Sequence, residues 1–297
     1  MKKFIGYILN VIGNLLGLER IRLKLAETSN DVSAIRSILI DEYLQKNLFE
    51  NPKYSNSKKL NKYEYQITSQ NGEDGIIAEI FNRIGTTNKN FVEFGVEKGL
   101  ENNTLSLLLN GWDGYWLEGS PDYVQAIKEK FHFLVEQKRL CVEQAFINAE
   151  NIESLFEKMS VPKEFDLLSI DIDGNDYWVW KAINNYSPRV VVIEYNAVFR
   201  PPQQYVVKYQ PEKHFPITSY FGASLESLKI LGEEKGYKLV GCNFLGVNAF
   251  FVRKDLVADK FLEPFTAEVH YEPPRYQLTK RIGHVRNFGE FIEDSED

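Results

Sequence analysis

The chain has 297 residues, of which 43% are apolar and 13% aromatic. That is enough to bury a sizeable core, so wholesale disorder is excluded, and the length suits one large α/β domain with appendages or two small domains. The 35 Lys and Arg are outnumbered by 42 Asp and Glu, for a net charge of −7 and a pI of about 5.4. This acidity excludes a protein whose main task is wrapping nucleic acid, because such binding is dominated by phosphate neutralisation. Cys141 and Cys242 lie far apart and show neither CxxC nor Cys/His spacing. Neither a disulfide scaffold nor a zinc module is expected, and a cytoplasmic, reducing compartment is the simplest reading.

Residues 4–18 form an apolar run after Met1-Lys2-Lys3, interrupted by Asn10 and Asn14 and followed by Glu19-Arg20-Ile21-Arg22 rather than a cleavage site. The run is too short and too polar to span a bilayer and makes a poor signal peptide. Its spacing predicts a helix with a wide apolar face (Phe4, Ile8, Val11, Leu15) and a narrow polar stripe (Gly6, Asn10, Gly13, Asn14). Such a helix packs on its own domain or on a second subunit. Alternatively, with Lys2, Lys3, Arg20, Arg22 and Lys24 beside it, it lies on an anionic membrane surface. Residues 1–25 carry a net charge of +4, whereas the tail acids Glu290, Glu293, Asp294, Glu296 and Asp297 are a solvated end. A second helical pattern covers 27–46, and the polar stretch 50–62 reads as a linker, so residues 1–60 are expected to form a helical extension.

From Tyr63 onward, short apolar runs alternate with amphipathic stretches. A helix begins near Gly72, and strands are predicted at 91–96, 114–119, 140–147, 166–172 and 189–196. Helices fall at 102–110, 121–133, 151–159 and 176–184. After an irregular stretch, 198–222, come a helix at 224–235 and strands at 237–243 and 248–254. The strands are apolar almost throughout, as when both sheet faces are covered, and the alternation predicts a doubly wound, mostly parallel sheet. The last two strands are joined by only Phe244–Val247, so the final strand should run antiparallel. Residues 61–256 then form the main domain and 257–297 a C-terminal extension.

Ligands of such sheets sit at the carboxyl ends of the strands. The first strand ends in Glu93-Phe94-Gly95-Val96-Glu97-Lys98-Gly99. Gly95 lets the backbone pass close to a ligand and Gly99 permits the following turn, but Glu97 and Lys98 stand where a dinucleotide fingerprint would be glycine-rich. Glu93 is available to a cation or an amino group. The second strand ends in Glu118-Gly119-Ser120, and Glu118 lies 25 residues after Glu93, the spacing of an acid that grips ribose hydroxyls. Ribose binding without a diphosphate cradle suggests adenosine attached to something other than phosphate. S-adenosylmethionine (SAM) fits, with its ribose on Glu118 and its methionyl end near Glu93. Read singly, either acid could merely cap a helix.

The set FVEFGVEKG, YWLEGS, DLLSIDIDGNDYWVW and RVVVIEYN resembles class I SAM-dependent methyltransferases, and more narrowly the FkbM-like family. The segment Ser69-Gln70-Asn71-Gly72-Glu73-Asp74 also looks like that branch's approach to its first core helix. The resemblance spans roughly 63–255. It implies a Rossmann-like fold of seven strands, mostly parallel with an antiparallel last strand. It also implies SAM contacts from Glu93, Gly95 and Glu118, with the adjoining Gly119 and Ser120. Ser69, Gln70 and Asn103 or Thr104 are weaker candidates, and Ala145 and Phe146 would border the adenine.

The fourth strand ends in Asp171-Ile172-Asp173-Gly174-Asn175-Asp176, and the fifth in Glu194-Tyr195-Asn196. Crowded acids at strand ends are costly unless solvated, paired or bound to a cation. Asp171, Asp173, Glu194 and Asn196 form an oxygen-only set suited to Mg²⁺ or Mn²⁺, similar to the pairing used by metal-dependent O-methyltransferases. Without metal, Asp171 or Asp173 would accept the acceptor's proton while Glu194 or Asn196 holds another hydroxyl. The blander alternative makes 173–176 a turn and helix cap, with Asp176 its purest member. His214, within the long stretch 198–222, is a candidate base or hydrogen-bond donor, or simply a loop histidine.

The leading expectation is a SAM-dependent O-methyltransferase acting on a hydroxyl of a small molecule, sugar or glycan precursor, such as a bacterial surface polysaccharide, at the inner face of the membrane. It is not expected to bind nucleic acid, and the N-terminal helices would provide peripheral membrane contact or homo-oligomerisation. Two alternatives stand beside it: a glycosyltransferase using Asp171-Ile172-Asp173 as a DxD motif, and a non-catalytic partner that keeps the fold.

Overall fold

A computed structural model describes residues 5–6, 17–212, 218–279 and 286–289. Most of the helix expected at 4–18, His214 and the acidic tail 290–297 therefore lie outside the described residues. The chain divides into two compact units, residues 1–51 and 52–297.

In the first unit a helix, α1 (Leu18–Leu44), enters from Gly17 in the left-handed region and runs into a π-helical stretch, Gln45–Phe49. It extends the helical pattern predicted at 27–46 by more than two turns toward the N-terminus. Leu18, Ile21, Leu25, Val32, Ile35 and Leu39 recur at helical spacing along it, each more than half exposed. Among the described residues no helix is long and apolar enough to cross a membrane.

The second unit begins earlier than the sequence suggests. The stretch read as a linker contains two short 3₁₀ turns, Pro52–Tyr54 and Asn61–Tyr63, and Tyr54 and Leu60 are buried within it. The Tyr54 hydroxyl donates to Glu272 at 2.8 Å and the Asn61 amide to the carbonyl of Cys242 at 2.7 Å. Two well-spaced apolar residues therefore dock a segment whose composition is otherwise that of a loop. Residues 257–279 also belong to this unit rather than to a separate extension. Phe261 and Ala267 are core residues, and the buried Tyr195 hydroxyl donates to the Glu272 carbonyl at 2.6 Å.

Helix α2 (Glu73–Ile84) precedes β1 (Asn90–Phe94), α3 (Leu105–Leu109), β2 (Asp113–Glu118), α4 (Pro121–Lys130) and α5 (His132–Glu136). Then follow β3 (Leu140–Gln144), α6 (Ile152–Lys158), β4 (Glu164–Ile170), α7 (Asp176–Ala182) and β5 (Ser187–Glu194). Helix α8 (Leu225–Glu234) and the pair β6 (Tyr237–Cys242) and β7 (Asn248–Arg253) complete the sheet. The strand order is β3-β2-β1-β4-β5-β7-β6. Strands β1 to β5 pair in parallel, and β7 is inserted antiparallel between β5 and β6. This is the expected Rossmann-like sheet with its reversed last strand.

Period-two alternation divides the core into two layers. Val92, Leu168, Val191 and Ile193 face one layer with Phe156, Trp180 and Leu228. Phe91, Leu167, Val190 and Val192 face the other with Ile76, Leu105 and Phe131. At the amino ends of the central strands the fully buried Asp166 accepts the N–H groups of Thr87, Asn88 and Lys89 and pairs with Arg189 at 2.6 Å. This fixes the loop into β1 and leaves the carboxyl ends, between β1 and β4 where the winding reverses, as the place for a ligand.

Candidate functional site

A cavity of about 870 Å³ opens at the carboxyl ends of β1, β2, β4 and β5. Its position follows from the loop after β1, in which Gly95, at φ +68°, lies against the backbone of Asp171. Gly95 N–H continues the ladder to the Leu117 carbonyl at 3.1 Å. The loop then turns through Glu97, also left-handed at φ +48°, and presents Glu97 N–H to Glu118 Oε2 at 2.8 Å. Ser120 N–H donates to Glu118 Oε1 at 2.8 Å. The largely buried Glu118 is thereby fixed by one backbone donor on each oxygen. Each oxygen retains a lone pair, so the pair can receive two hydroxyl donors together.

The remaining cofactor candidates separate. Gly119, Ser120, Ala145 and Phe146 line the cavity beside Glu118, and Gln70 lines it from the segment ahead of α2. The Ser120 hydroxyl also accepts Tyr123 N–H as the cap of α4. Ser69 does not take part: its side chain is fully buried and donates to Asp74 at 2.6 Å, where Asp74 also gathers the N–H groups of Ile67, Thr68 and Ser69. It secures the approach to α2 instead of meeting a ligand.

Glu93 reaches the cavity but is already heavily engaged. It accepts from Asn103 N–H at 2.9 Å, Thr104 Oγ1 at 2.5 Å and Ser169 Oγ at 3.1 Å. Thr104 Oγ1 in turn accepts from Trp116 Nε1 at 2.8 Å. Burial pushes Glu93 up to about 7 against the opposing pull of these donors. Asn103 and Thr104, candidates for cofactor contact, chiefly serve this carboxyl, which ties β1, β2 and β4 together under the cavity floor.

Across the cavity, Asp171, Asp173 and Glu194 bring one carboxylate oxygen each to within 4.8 Å of one another. Burial, then the charges of Asp176 and Asp173, holds Asp171 well above the ordinary carboxyl range. Burial, then the charge of Asp171, does the same for Glu194. Asp173 is held at φ +58°. The turn is fixed by the buried Asp176, whose oxygens accept Ile172 N–H at 2.9 Å and Gly174 N–H at 2.8 Å. The helix-cap expectation for Asp176 is thus corrected: Asn175 occupies the N-cap, and Asp176 reaches back to fasten the acidic turn. Burial pushes Asp176 up to about 6.

Asn196 leaves the expected metal set. Its Nδ2 donates to the carbonyls of Ser219 and Phe221, both at 3.0 Å, and its Oδ1 accepts Val198 N–H at 3.2 Å. It is fully buried beneath the following loop and is not among the residues lining the cavity. The described part of 198–222 borders the site indirectly, through Gln210 O accepting from Asn175 Nδ2 at 2.9 Å and Val207 O accepting from Trp178 Nε1 at 2.8 Å.

The structure adds Asn102, Asn175 and Asn248, to which the sequence reading gave no role, beside the expected Glu194. Four buried polar atoms without a partner belong to cavity-lining residues: Asn102 Nδ2, Asn175 Oδ1, Glu194 Oε2 and Asn248 Oδ1. Because β7 runs antiparallel, its first residue, Asn248, pairs with Glu194, the last of β5. Its Nδ2 donates to Glu73 Oε1 at 3.0 Å, which leaves Oδ1 over. An unmet buried polar atom costs about 1–3 kcal/mol, so such a concentration marks a surface that a polar ligand completes.

The donor set fits SAM. A fixed carboxylate with room for two hydroxyls stands at one end, apolar Ala145 and Phe146 stand beside it, and acids able to face a sulfonium stand at the other. Asp171, Asp173 and Glu194 are the residues that could hold a divalent ion.

No family model matches the chain, and no curated protein matches it. The narrower FkbM-like reading therefore remains a resemblance of motifs. Similar solved structures include the N-terminal domain of EvdMO1 crystallised with S-adenosylhomocysteine (SAH) and D-fucose, at 15% identity, TM-score 0.40, 61% of this chain and 81% of that one. A SAM-dependent methyltransferase of Clostridium acetobutylicum matches at 10% identity, TM-score 0.38, 60% and 89%. The glycopeptide N-methyltransferase MtfA with SAH matches at 13% identity, TM-score 0.38, 62% and 90%. At these values the chemistry of the chain rests on its own residues.

Proposed function

We propose that the protein is a SAM-dependent O-methyltransferase whose acceptor is a hydroxyl of a sugar or glycan precursor, in line with its FkbM-like motifs. The observation that carries this reading is that one cavity holds both the Glu118 clamp and the Asp171/Glu194 acids. SAM would supply an electrophilic methyl group on a sulfonium. Glu118 receives the two ribose hydroxyls, and Ala145 and Phe146 flank the base. The acids at the ends of β4 and β5 favour a cationic sulfur and a hydroxylated, uncharged acceptor, and disfavour a phosphate-rich one.

Asp171 and Glu194 suit proton removal. Two close, half-buried carboxyls do not ionise together readily, so one is the base and its neighbour keeps a proton with which to orient a second hydroxyl. That base would take the acceptor O–H proton, while SAM would supply the methyl group from its sulfonium and leave as SAH. The unpartnered Glu194 Oε2 and the spacing of the trio also favour a divalent ion, Mg²⁺ or Mn²⁺, which would lower the pKa of the acceptor hydroxyl.

Calorimetry with SAH and with a UDP-sugar, with and without Mn²⁺, tests the reading. Binding of SAH is expected; failure to bind it overturns the proposal, and metal-dependent binding of the UDP-sugar alone would assign Asp171 and Asp173 to glycosyl transfer. The exposed apolar face of α1 supports a role for the first unit in attachment to a second copy or to a lipid surface. Light scattering and liposome flotation, with and without residues 1–51, separate those two.

A further inference from the structure

Among the described residues nothing covers α1 from Leu18 to Arg36, where every residue is exposed. A helix draws most of its stability from the packing of one face against other structure. A 27-residue helix bare over so much of its length therefore asks for a cover.

The spacing of its apolar residues says what that cover is. Leu18, Leu25, Val32 and Leu39 recur every seven residues, and Ile21 and Ile35 follow Leu18 and Val32 by three. These are the a and d positions of successive heptads, the 3.5-residue repeat of helices wound on one another. The remaining d position within this stripe is Thr28, whose hydroxyl donates to Lys24 O at 2.9 Å in its own helix. Burying the stripe thus leaves no hydroxyl unmet. Ile38 and Tyr43 widen it at flanking g and e positions, whereas the exposed Leu23, at f, falls on the opposite side.

The charges favour further copies of this chain over lipid. Past Lys24, α1 carries Glu27, Asp31, Asp41 and Glu42 against Arg36 alone, the wrong sign for an anionic membrane surface. Between parallel copies, Asp31 at g faces Arg36 of the partner subunit at e, and the other g–e pairs bring no like charges together. Antiparallel copies in full overlap would instead set Asp31 beside Asp31 of the partner subunit and Arg22 beside Arg36 of the partner subunit.

We propose that α1 is the seam of a parallel coiled coil through which this chain assembles with further copies of itself, an inference independent of the SAM reading. Leu at a with Ile at d favours a trimer or tetramer over a dimer.

Light scattering on the full chain should give a multiple of the 34.4 kDa monomer. The double variant Leu25→Glu/Ile35→Glu should reduce the mass to that of the monomer, and Leu23→Glu should leave it unchanged. All three side chains are exposed in the single chain, so its fold does not depend on them. Ile35→Cys in a Cys141→Ser background should give a disulfide-linked pair on mild oxidation. Parallel strands set the two copies of residue 35 side by side, whereas antiparallel strands in full overlap hold them about 15 Å apart, too far to bridge. A monomeric wild type, an assembly that survives the double substitution, or absence of the disulfide would overturn the proposal. So would a monomer that floats with phosphatidylcholine–phosphatidylglycerol vesicles and loses them in the double variant, which would assign the stripe to lipid.

Discussion

Gly95 faces the carbonyl oxygen of Asp171 so closely that a Cβ added to it would stand 1.8 Å from that oxygen. The first strand's loop can cross to β2, and so aim Glu97 N–H at Glu118, only because this position lacks a side chain. The same contact links the two halves of the site, one backbone lying on the other.

Gly95→Ala should therefore separate the β1 loop from the turn at Asp171. Strain at positive φ adds to the steric conflict. The expected result is loss of SAH binding by at least about 100-fold, with a secondary-structure content unchanged by circular dichroism; a single steric clash of several kcal/mol suffices. Unaltered affinity would mean that the loop is more pliant than its hydrogen bonds indicate.

Glu118→Gln should weaken SAH and 5′-methylthioadenosine, which keeps the adenosine but has no amino acid, alike, by about 10- to 100-fold, because an amide cannot accept on both sides at once. It would also place its N–H₂ against the N–H of either Glu97 or Ser120. Equal loss with the two probes is the mark of a ribose contact.

Asp171→Asn should abolish most methyl transfer and yet stabilise the fold at neutral pH. The carboxyl of Asp171 is raised in the folded chain, so folding retains a proton that the unfolded chain releases. Stability from this group is full below the unfolded pKa and declines as pH climbs toward the folded one. The variant's advantage should consequently be absent near pH 3 and grow above pH 4, the ordinary carboxyl range. Each 1 kcal/mol recovered corresponds to about 2–4 °C in Tm for a unit of this size. Differential scanning calorimetry across pH checks this, and a Tm that falls at pH 8 would contradict it. In the wild type, Mn²⁺ should raise Tm by relieving the same repulsion, and the variant should respond less.

Asp166→Ala tests the opposite end of the sheet. It removes the shared acceptor of three backbone N–H groups and leaves Arg189 buried without its counter-charge. Urea denaturation should show a loss of about 3–5 kcal/mol, as for other broken buried pairs. In the fraction that remains folded, SAH affinity should be unchanged, since the cavity lies at the other end of the strands.

The sequence was most legible where each element buries its own apolar run. The strands predicted at 166–172 and 189–196 lie within two residues of the observed Glu164–Ile170 and Ser187–Glu194, because a central strand covered on both faces has little choice of composition. Glu118, Asp171 and Glu194 were legible for a related reason: an acid that directly follows such a run must stand at its end. Asn196 shows where this logic stops. Its two-residue spacing from Glu194 implies a shared face, but the strand ends at Glu194. Beyond it the chain turns, with Tyr195 N–H bonded to Val247 O and Asn196 N–H to Ala223 O. Alternation carries no information past that point. Asn102 and Asn248 were invisible for a different reason. Half of each amide is bonded to Leu105 or Glu73, and only those contacts leave the other half without a partner at the cavity.

Glu272 joins distant parts of the chain. Its carboxylate receives Lys53 and Tyr54 from the start of the second unit, and its carbonyl receives Tyr195 just beyond β5. During synthesis, Tyr54 and Tyr195 emerge long before the residue that satisfies them. The sheet's carboxyl edge is consequently closed by a segment that leaves the ribosome after every strand of the sheet. A chain interrupted before residue 272 would retain almost every residue of the proposed site but not the fastening that holds its edges together. Synthesis of Glu272, rather than of the residues that line the cavity, would then be the event that closes it.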